Sequence, residues 1–203
     1  MSASVAEIEA LLPQTQCRQC GHDGCRPYAE ALVAAAAPLD ACAPGGPTLV
    51  SALVVALGRD GPRLHDDTRL AAPEPAVARI REAECIGCVK CLDVCPVDAI
   101  VGAPKCAHTV IAAHCTGCGL CLPPCPVDCI ELLPAALDRP VHGPAERAFA
   151  ADTRARVAAR ARRLAGGPRR DGPQLVDECS GTDAAVLRAA VEAAVRRVRS
   201  RRR

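Results

Sequence analysis

Large side chains are nearly missing from this chain. Its 203 residues include one Tyr, one Phe, one Met and no Trp. Aromatics commonly anchor a core. The core here must therefore use small aliphatics, or form around something that is not protein. A secretory leader is not expected either: "MSASVAEIEALLPQ" is amphipathic and acidic, without a basic segment followed by an apolar one. The longest strongly apolar run, Leu49 to Gly58, has ten residues, whereas a membrane helix needs roughly 20. A soluble, cytoplasmic protein is expected. The sequence has no Gly-rich nucleotide loop, phosphate loop or nucleophile constellation, so no side-chain catalysis is expected.

Cysteine is abundant. Fifteen are present, an odd number, many in C-x2-C pairs. Without a leader this pattern argues for metal rather than disulfides. Charge is unevenly spread. Residues 1–144 carry 10 Lys+Arg against 16 Asp+Glu, and residues 145–203 carry 15 Arg against 7 Asp+Glu. An acidic body therefore precedes a basic tail.

Four parts are expected: 1–58, 59–75, 76–135 and 136–203. The first contains three helical patterns. One follows Ser4 as N-cap and stops near Pro13; another runs from Pro27 to about Ala37; the third starts at Thr48 as N-cap and ends at Gly58. Residues 59–75 are polar and rich in Pro, Gly and Asp, and read as a linker. The last part has two Arg-rich helical patterns around "GGPRRDGP".

The third part repeats itself. "CIGCVKCLDVCPVDAI" from Cys85 matches "CTGCGLCLPPCPVDCI" from Cys115, thirty residues on. The β-like stretches "AVARI", "AIVGA", "HTVIAA" and "CIELL" flank the copies. The expected fold is α+β: a small helical module, then a ferredoxin-like pseudo-two-fold (βαβ)2 domain, then an Arg-rich helical or disordered tail.

Each copy reads C-x2-C-x2-C-x3-C-P. Three thiolates on one tight loop crowd a tetrahedral zinc, which usually takes pairs from two loops. A cubane accepts three ligands from one loop, and in this motif the fourth cysteine binds the other cluster. One [4Fe–4S] cluster is thus assigned to Cys85, Cys88, Cys91 and Cys125, and another to Cys115, Cys118, Cys121 and Cys95. Gly87, Gly117 and Gly119 allow close backbone approach to the sulfurs. Pro96 and Pro126 end the loops. The motifs resemble the bacterial two-cluster ferredoxin domain.

An earlier motif, Cys17, Cys20, Cys25 and Cys42, is spaced C-x2-C-x4-C-x16-C. Cys25 falls at the start of the second helix, where the helix N-terminus is expected to lower its pKa. A helical arm from Pro27 to Ala37 is about 16 Å long, and five extended residues can return Cys42 to the same place. From spacing, this site suits a third [4Fe–4S] cluster or a zinc ion.

"CRQCGHDGCRPYAEAL", then Cys42 and "APGG", resembles the four-cysteine domain of RnfB, the B subunit of the Rnf electron-transport complex. The repeat region is similar to that family too, so the resemblance spans roughly residues 10–135. It implies three [4Fe–4S] clusters, with Cys17, Cys20, Cys25 and Cys42 holding one, and single-electron transfer among redox partners. Those partners are a flavoprotein or other Rnf-type subunits of an ion-translocating membrane complex, or an iron–sulfur regulator or repair enzyme. Members of the family usually begin with a hydrophobic anchor, whereas this chain starts almost at the cysteines. A cytoplasmic protein is expected, at most peripheral on the inner membrane's cytoplasmic face. The rival reading is a zinc-stabilised scaffold that binds protein or nucleic acid.

Cys106, Cys129 and Cys179 are left over; Cys129 reads as a small buried apolar residue. His22 and His114 flank ligand cysteines as tuning candidates. Tyr28 is expected to pack over the first cluster. The tail lacks interleaved aromatics, so no specific nucleic-acid site is expected. It suits folding back onto the acidic body or contact with a membrane surface.

Overall fold

The computed structural model describes residues 3–61, 74–135 and 144–166, with isolated positions between 189 and 200. Most of the expected linker, Cys179 and nearly all of the second Arg-rich pattern lie outside the described residues. The chain divides into two compact units. The first comprises Met1–Ala76, Thr116–Cys118 and Pro134–Ala155; the second comprises Val77–Cys115, Gly119–Leu133 and Arg156–Arg203. Among the described residues no helix is long and apolar enough to cross a membrane.

The first unit is helical. Helix α1 (Val5–Leu11) starts at Ser4, whose side chain and Glu7 form a reciprocal capping box. Caps of this kind stabilise by about 1 kcal/mol. Helix α2 (Cys25–Val33) ends earlier than its apolar pattern suggests. Ala35 takes a left-handed φ of 54°, and the Ala36 N–H donates back to the Ala31 carbonyl, turning the chain toward Cys42. Helix α3 (Gly46–Leu57) begins two residues before Thr48, because Pro47 fits its first turn; it stops at left-handed Gly58. Ile8, Leu12, Tyr28, Leu32, Val50 and Leu53 form the dry centre of this unit.

The repeat region combines short strands with one short helix. Strand β1 (Ala76–Ile80) pairs with β4 (Ile130–Pro134), and β2 (Ile100–Val101) with β3 (Thr109–Val110). The second pair is antiparallel, with Ile100 opposite Val110. Helix α4 (Lys90–Val94) follows the first cysteine loop, but the matching stretch after the second loop consists of turns. Pro123 and Pro124 stand where the first copy has Asp93 and Val94, and prolines cannot supply the helical N–H donors. The corner aspartates of both copies are left-handed, Asp98 at φ 49° and Asp128 at φ 48°, a conformation Asp accepts more readily than most residues.

Helix α5 (Pro144–Ala165) carries the first Arg-rich pattern. From Arg156 onward it belongs to the second unit. Val157 packs on that unit's core. Arg160 and Arg163 both reach Asp98, Arg163 at 2.7 Å, and Arg160 also donates to the Asp93 carbonyl. Burial pulls the Asp98 carboxyl up, but its bonds to Arg163 and Arg160 outweigh this and hold it below the usual value. Part of the basic tail therefore lies on the acidic body.

Candidate metal centres

The first four-cysteine set is built by a polar loop. Gln14 and Gln16 are buried, at 0% and 5% exposure, with left-handed φ of 58° and 56°. They form a relay. Gln14 Nε2 donates to the Glu9 carbonyl at 2.7 Å, and Gln16 Nε2 donates to Gln14 Oε1 at 2.8 Å. The Cys25 N–H then donates to Gln16 Oε1 at 3.0 Å. Gln16 thus caps α2, whose N-cap residue Gly24 has no side chain to do so. Cys17, Cys20, Cys25 and Cys42 line one hollow together with Leu12, Tyr28 and Pro44.

Burial decides the thiol energetics here. It pushes Cys25 up to about 11 and Cys42 up to about 12. The expected lowering of Cys25 at the helix N-terminus is outweighed by desolvation. Tyr28 is 1% exposed, and its hydroxyl donates to the Pro38 carbonyl at 2.8 Å. His22 packs against it, with ring centroids 5.4 Å apart.

The Gln relay carries a prediction. Gln16→Ala leaves the buried Cys25 N–H without its acceptor, a loss of about 1–3 kcal/mol. Iron should leave the first site faster under a mild chelator, while the repeat sites release at the wild-type rate. Equal release from all sites would show that Gln16 does not support this one.

In the second unit, Cys85, Cys88, Cys91 and Cys125 line a hollow with Ile80, Ile86, His108, Val127, Cys129 and Ile130. Cys125 comes from the second copy and the other three from the first. Of the remaining set, Cys95, Cys115 and Cys121 are buried in the unit's core, whereas Cys118, which falls in the first unit, is half-buried. Backbone N–H groups donate to ligand sulfurs, Ala99 to Cys95 at 3.2 Å, Ala78 to Cys115 at 3.4 Å and His108 to Cys85 at 3.4 Å. Cys129 is 2% exposed, and its sulfur lies 3.6 Å from that of Cys125. Burial pushes the Cys129 thiol well above its usual range.

The histidines divide differently from expectation. Nε2 of His114 faces Arg156 at 2.7 Å. His108, which the sequence did not single out, lies with Nδ1 3.3 Å from Cys91 Sγ.

Among the described residues no group of three His, Cys, Asp or Glu side chains gathers closely enough to hold a metal ion by itself. Sulfurs around zinc sit about 2.3 Å from it, and therefore close to one another. Thiolates around a four-iron cluster are spread wider. Each of the two hollows is bordered by four cysteines that do not gather as closely as the ligands of a single ion, an arrangement that suits a cluster.

Comparison with known proteins gives the same chemistry. The family model described as "4Fe-4S dicluster domain" matches residues 78–132, and the one described as "Putative Fe-S cluster" matches residues 12–44. The B subunit of an ion-translocating oxidoreductase complex from Pectobacterium carotovorum subsp. carotovorum is 54% identical over 132 residues, covering 65% of this chain and 69% of the relative. The chain belongs to this RnfB family. The corresponding protein of Sodalis glossinidius is 56% identical over 134 residues, 66% of this chain and 70% of its own length. That of Alcanivorax borkumensis is 58% identical over 107 residues, 53% of this chain and 55% of its own length. No solved structure matches. Iron–sulfur electron transfer is the function class supported by these relatives and by the 4Fe-4S domains.

Proposed function

We propose that the chain passes single electrons through three [4Fe–4S] clusters. Cys17, Cys20, Cys25 and Cys42 hold one within a module of residues 1–58. Cys85, Cys88, Cys91 and Cys125 hold the second, and Cys95, Cys115, Cys118 and Cys121 the third, within a pseudo-two-fold module of residues 76–135 whose second copy has turns in place of the helix. The observation that carries this reading is the hollow bordered by Cys85, Cys88, Cys91 and Cys125, in which the fourth cysteine comes from the other copy as the motif requires. When bound, each cluster supplies a one-electron redox centre. The protein exchanges sulfur ligation for folding, donates backbone N–H groups to the sulfurs and excludes water. Electrons come from and go to other Rnf-type subunits or a flavoprotein, on the cytoplasmic side.

Anaerobic purification with iron, sulfide and EPR analysis tests this directly. About 12 irons per chain are expected, and Cys42→Ala should leave about 8. A wild-type chain with about 8 irons and one zinc would remove the first cluster from the scheme and leave the other two.

A further inference from the structure

The two repeat copies build matching backbone frames around side chains that do not match. The His108 N–H donates to Cys85 Sγ at 3.4 Å. Thirty residues earlier, the Ala78 N–H donates to Cys115 Sγ at the same distance. Cys85 and Cys115 are themselves repeat equivalents, so the backbone reproduces the internal symmetry. The side chains break it. His108 is 1% exposed, and its Nδ1 lies 3.3 Å from Cys91 Sγ, whereas Ala78 offers only a methyl group. Gly102 makes the room: a Cβ there would lie 2.2 Å from His108 Cδ2. Its repeat equivalent is Leu132. One copy thus has a His–Gly pair where the other has Ala–Leu.

The direction of the side-chain bond follows from the chemistry. A cluster-bound thiolate carries no proton, so the hydrogen must sit on Nδ1. Nε2 is then a bare acceptor, and it is buried without a hydrogen-bond partner among the described residues. Leaving such an atom unsatisfied is unfavourable, and a leucine or phenylalanine would fill the space without that cost. What the imidazole has and they lack is an N–H aimed at a ligand sulfur.

We infer that His108 selectively raises the reduction potential of the cluster held by Cys85, Cys88, Cys91 and Cys125, by donating from Nδ1 to Cys91 Sγ. Reduction adds one electron, and so one negative charge, to the cluster and its sulfurs. A donor to a ligand sulfur stabilises that charge. The proton stays on Nδ1 throughout. The inference rests on the reading that these four cysteines hold a [4Fe–4S] cluster.

Potentiometric EPR titration of the whole, anaerobically purified chain with dithionite tests it. His108→Leu removes the donor and keeps the bulk; His108→Gln keeps an N–H donor. With Leu, one cluster of the three should become harder to reduce. Its reduced-to-oxidised ratio at a fixed potential should fall about three- to tenfold, tenfold being about 59 mV for one electron. With Gln, that midpoint should stay nearer the wild-type value. Unmoved midpoints, a shift shared by all three clusters, or Gln behaving as Leu would each overturn the inference. A second readout follows the imidazole directly: with histidine 15N-labelled in the ring only, the reduced wild-type protein should show a nitrogen hyperfine coupling that disappears in His108→Gln. A coupling that is absent, or that survives the substitution, also overturns it. A wild-type chain lacking this cluster by iron count overturns the proposed function itself, whereas a loaded chain with unmoved midpoints overturns only the role of His108.

Discussion

Removing iron is expected to unfold the second unit while the helical core of the first survives longer. In the second unit six of the thirteen core residues are cysteines, and the largest of the others are Ile80, Ile100 and Ile130. No aromatic side chain is among them. Folded regions of this size are marginal even with a full aliphatic core, and an apolar side chain contributes about 1.5–3 kcal/mol when fully buried. Metal binding by cysteine clusters is folding free energy, on the order of 10 kcal/mol for structural zinc in small domains. Chelation after mild oxidation should therefore abolish hydrogen-exchange protection across residues 76–135. Helices α1 to α3 pack through Ile8, Leu12, Leu32, Val50 and Leu53, which need no metal, and should lose protection later. Retained protection in β1 and β4 after complete iron loss would refute the metal-dependent core. At single-site level, Cys125 is the staple between the copies. Cys129 Sγ lies only 3.6 Å from Cys125 Sγ, close enough to take over as ligand. Cys125→Ala alone should keep more iron than Cys125→Ala with Cys129→Ala, which should lose about four irons.

The features legible in the sequence are those encoded locally. Ser4 and Glu7 sit three apart and form their capping box. The thirty-residue repeat marks two loops with equivalent roles, and the spacing of the cysteines points to cluster chemistry before any fold is known. What escaped depends on contacts between distant segments, or on residues with an ordinary local reading. "PQTQ" looks like an exposed loop, yet Gln14 and Gln16 are buried because each satisfies the polar groups of the next. His108 is remote in sequence from Cys91, and strand β3 is what brings it there. Aligning it with Ala78 through the repeat would have exposed the asymmetry. His22 and His114 are next to ligand cysteines in sequence, but their rings turn to Tyr28 and Arg156. Symmetry of sequence also overstated symmetry of structure. Pro123 and Pro124 deny the second copy the counterpart of α4, a local signal that the repeat match obscured.

Replacing Gly87 with alanine should cost the Cys85 cluster, whereas replacing Gly119 should not. Both glycines are left-handed, Gly87 at φ 64° and Gly119 at φ 72°, so each alanine meets a backbone penalty of about 1–2 kcal/mol. The surroundings separate them. A Cβ on Gly87 would lie 2.6 Å from the Cys106 nitrogen and 2.7 Å from its oxygen. Those are backbone atoms of a segment tied to the loop by the Lys105 N–H, which donates to the Gly87 carbonyl at 3.0 Å. They cannot swing aside as a side-chain tip can. A Cβ on Gly119 would meet only Leu132 Cδ1, at 3.6 Å, an ordinary contact. The repeat supplies its own control. Gly87 aligns with Gly117, whose Cβ would lie 2.2 Å from the Ala76 oxygen, and Ala76 is the repeat equivalent of Cys106. Glycine is therefore demanded in both copies by the same crossing of backbones. Gly119 aligns with Val89, which holds a left-handed φ of 58° with a full β-branched side chain. Left-handedness alone is thus tolerated in this loop, and backbone overlap is not. Gly119→Ala should keep about 12 irons and melt a few degrees lower; Gly87→Ala should fall to about 8 irons or fewer. If Gly87→Ala loads and melts like Gly119→Ala, the loop can move away from residues 105–106, and close backbone packing is not what makes Gly87 necessary.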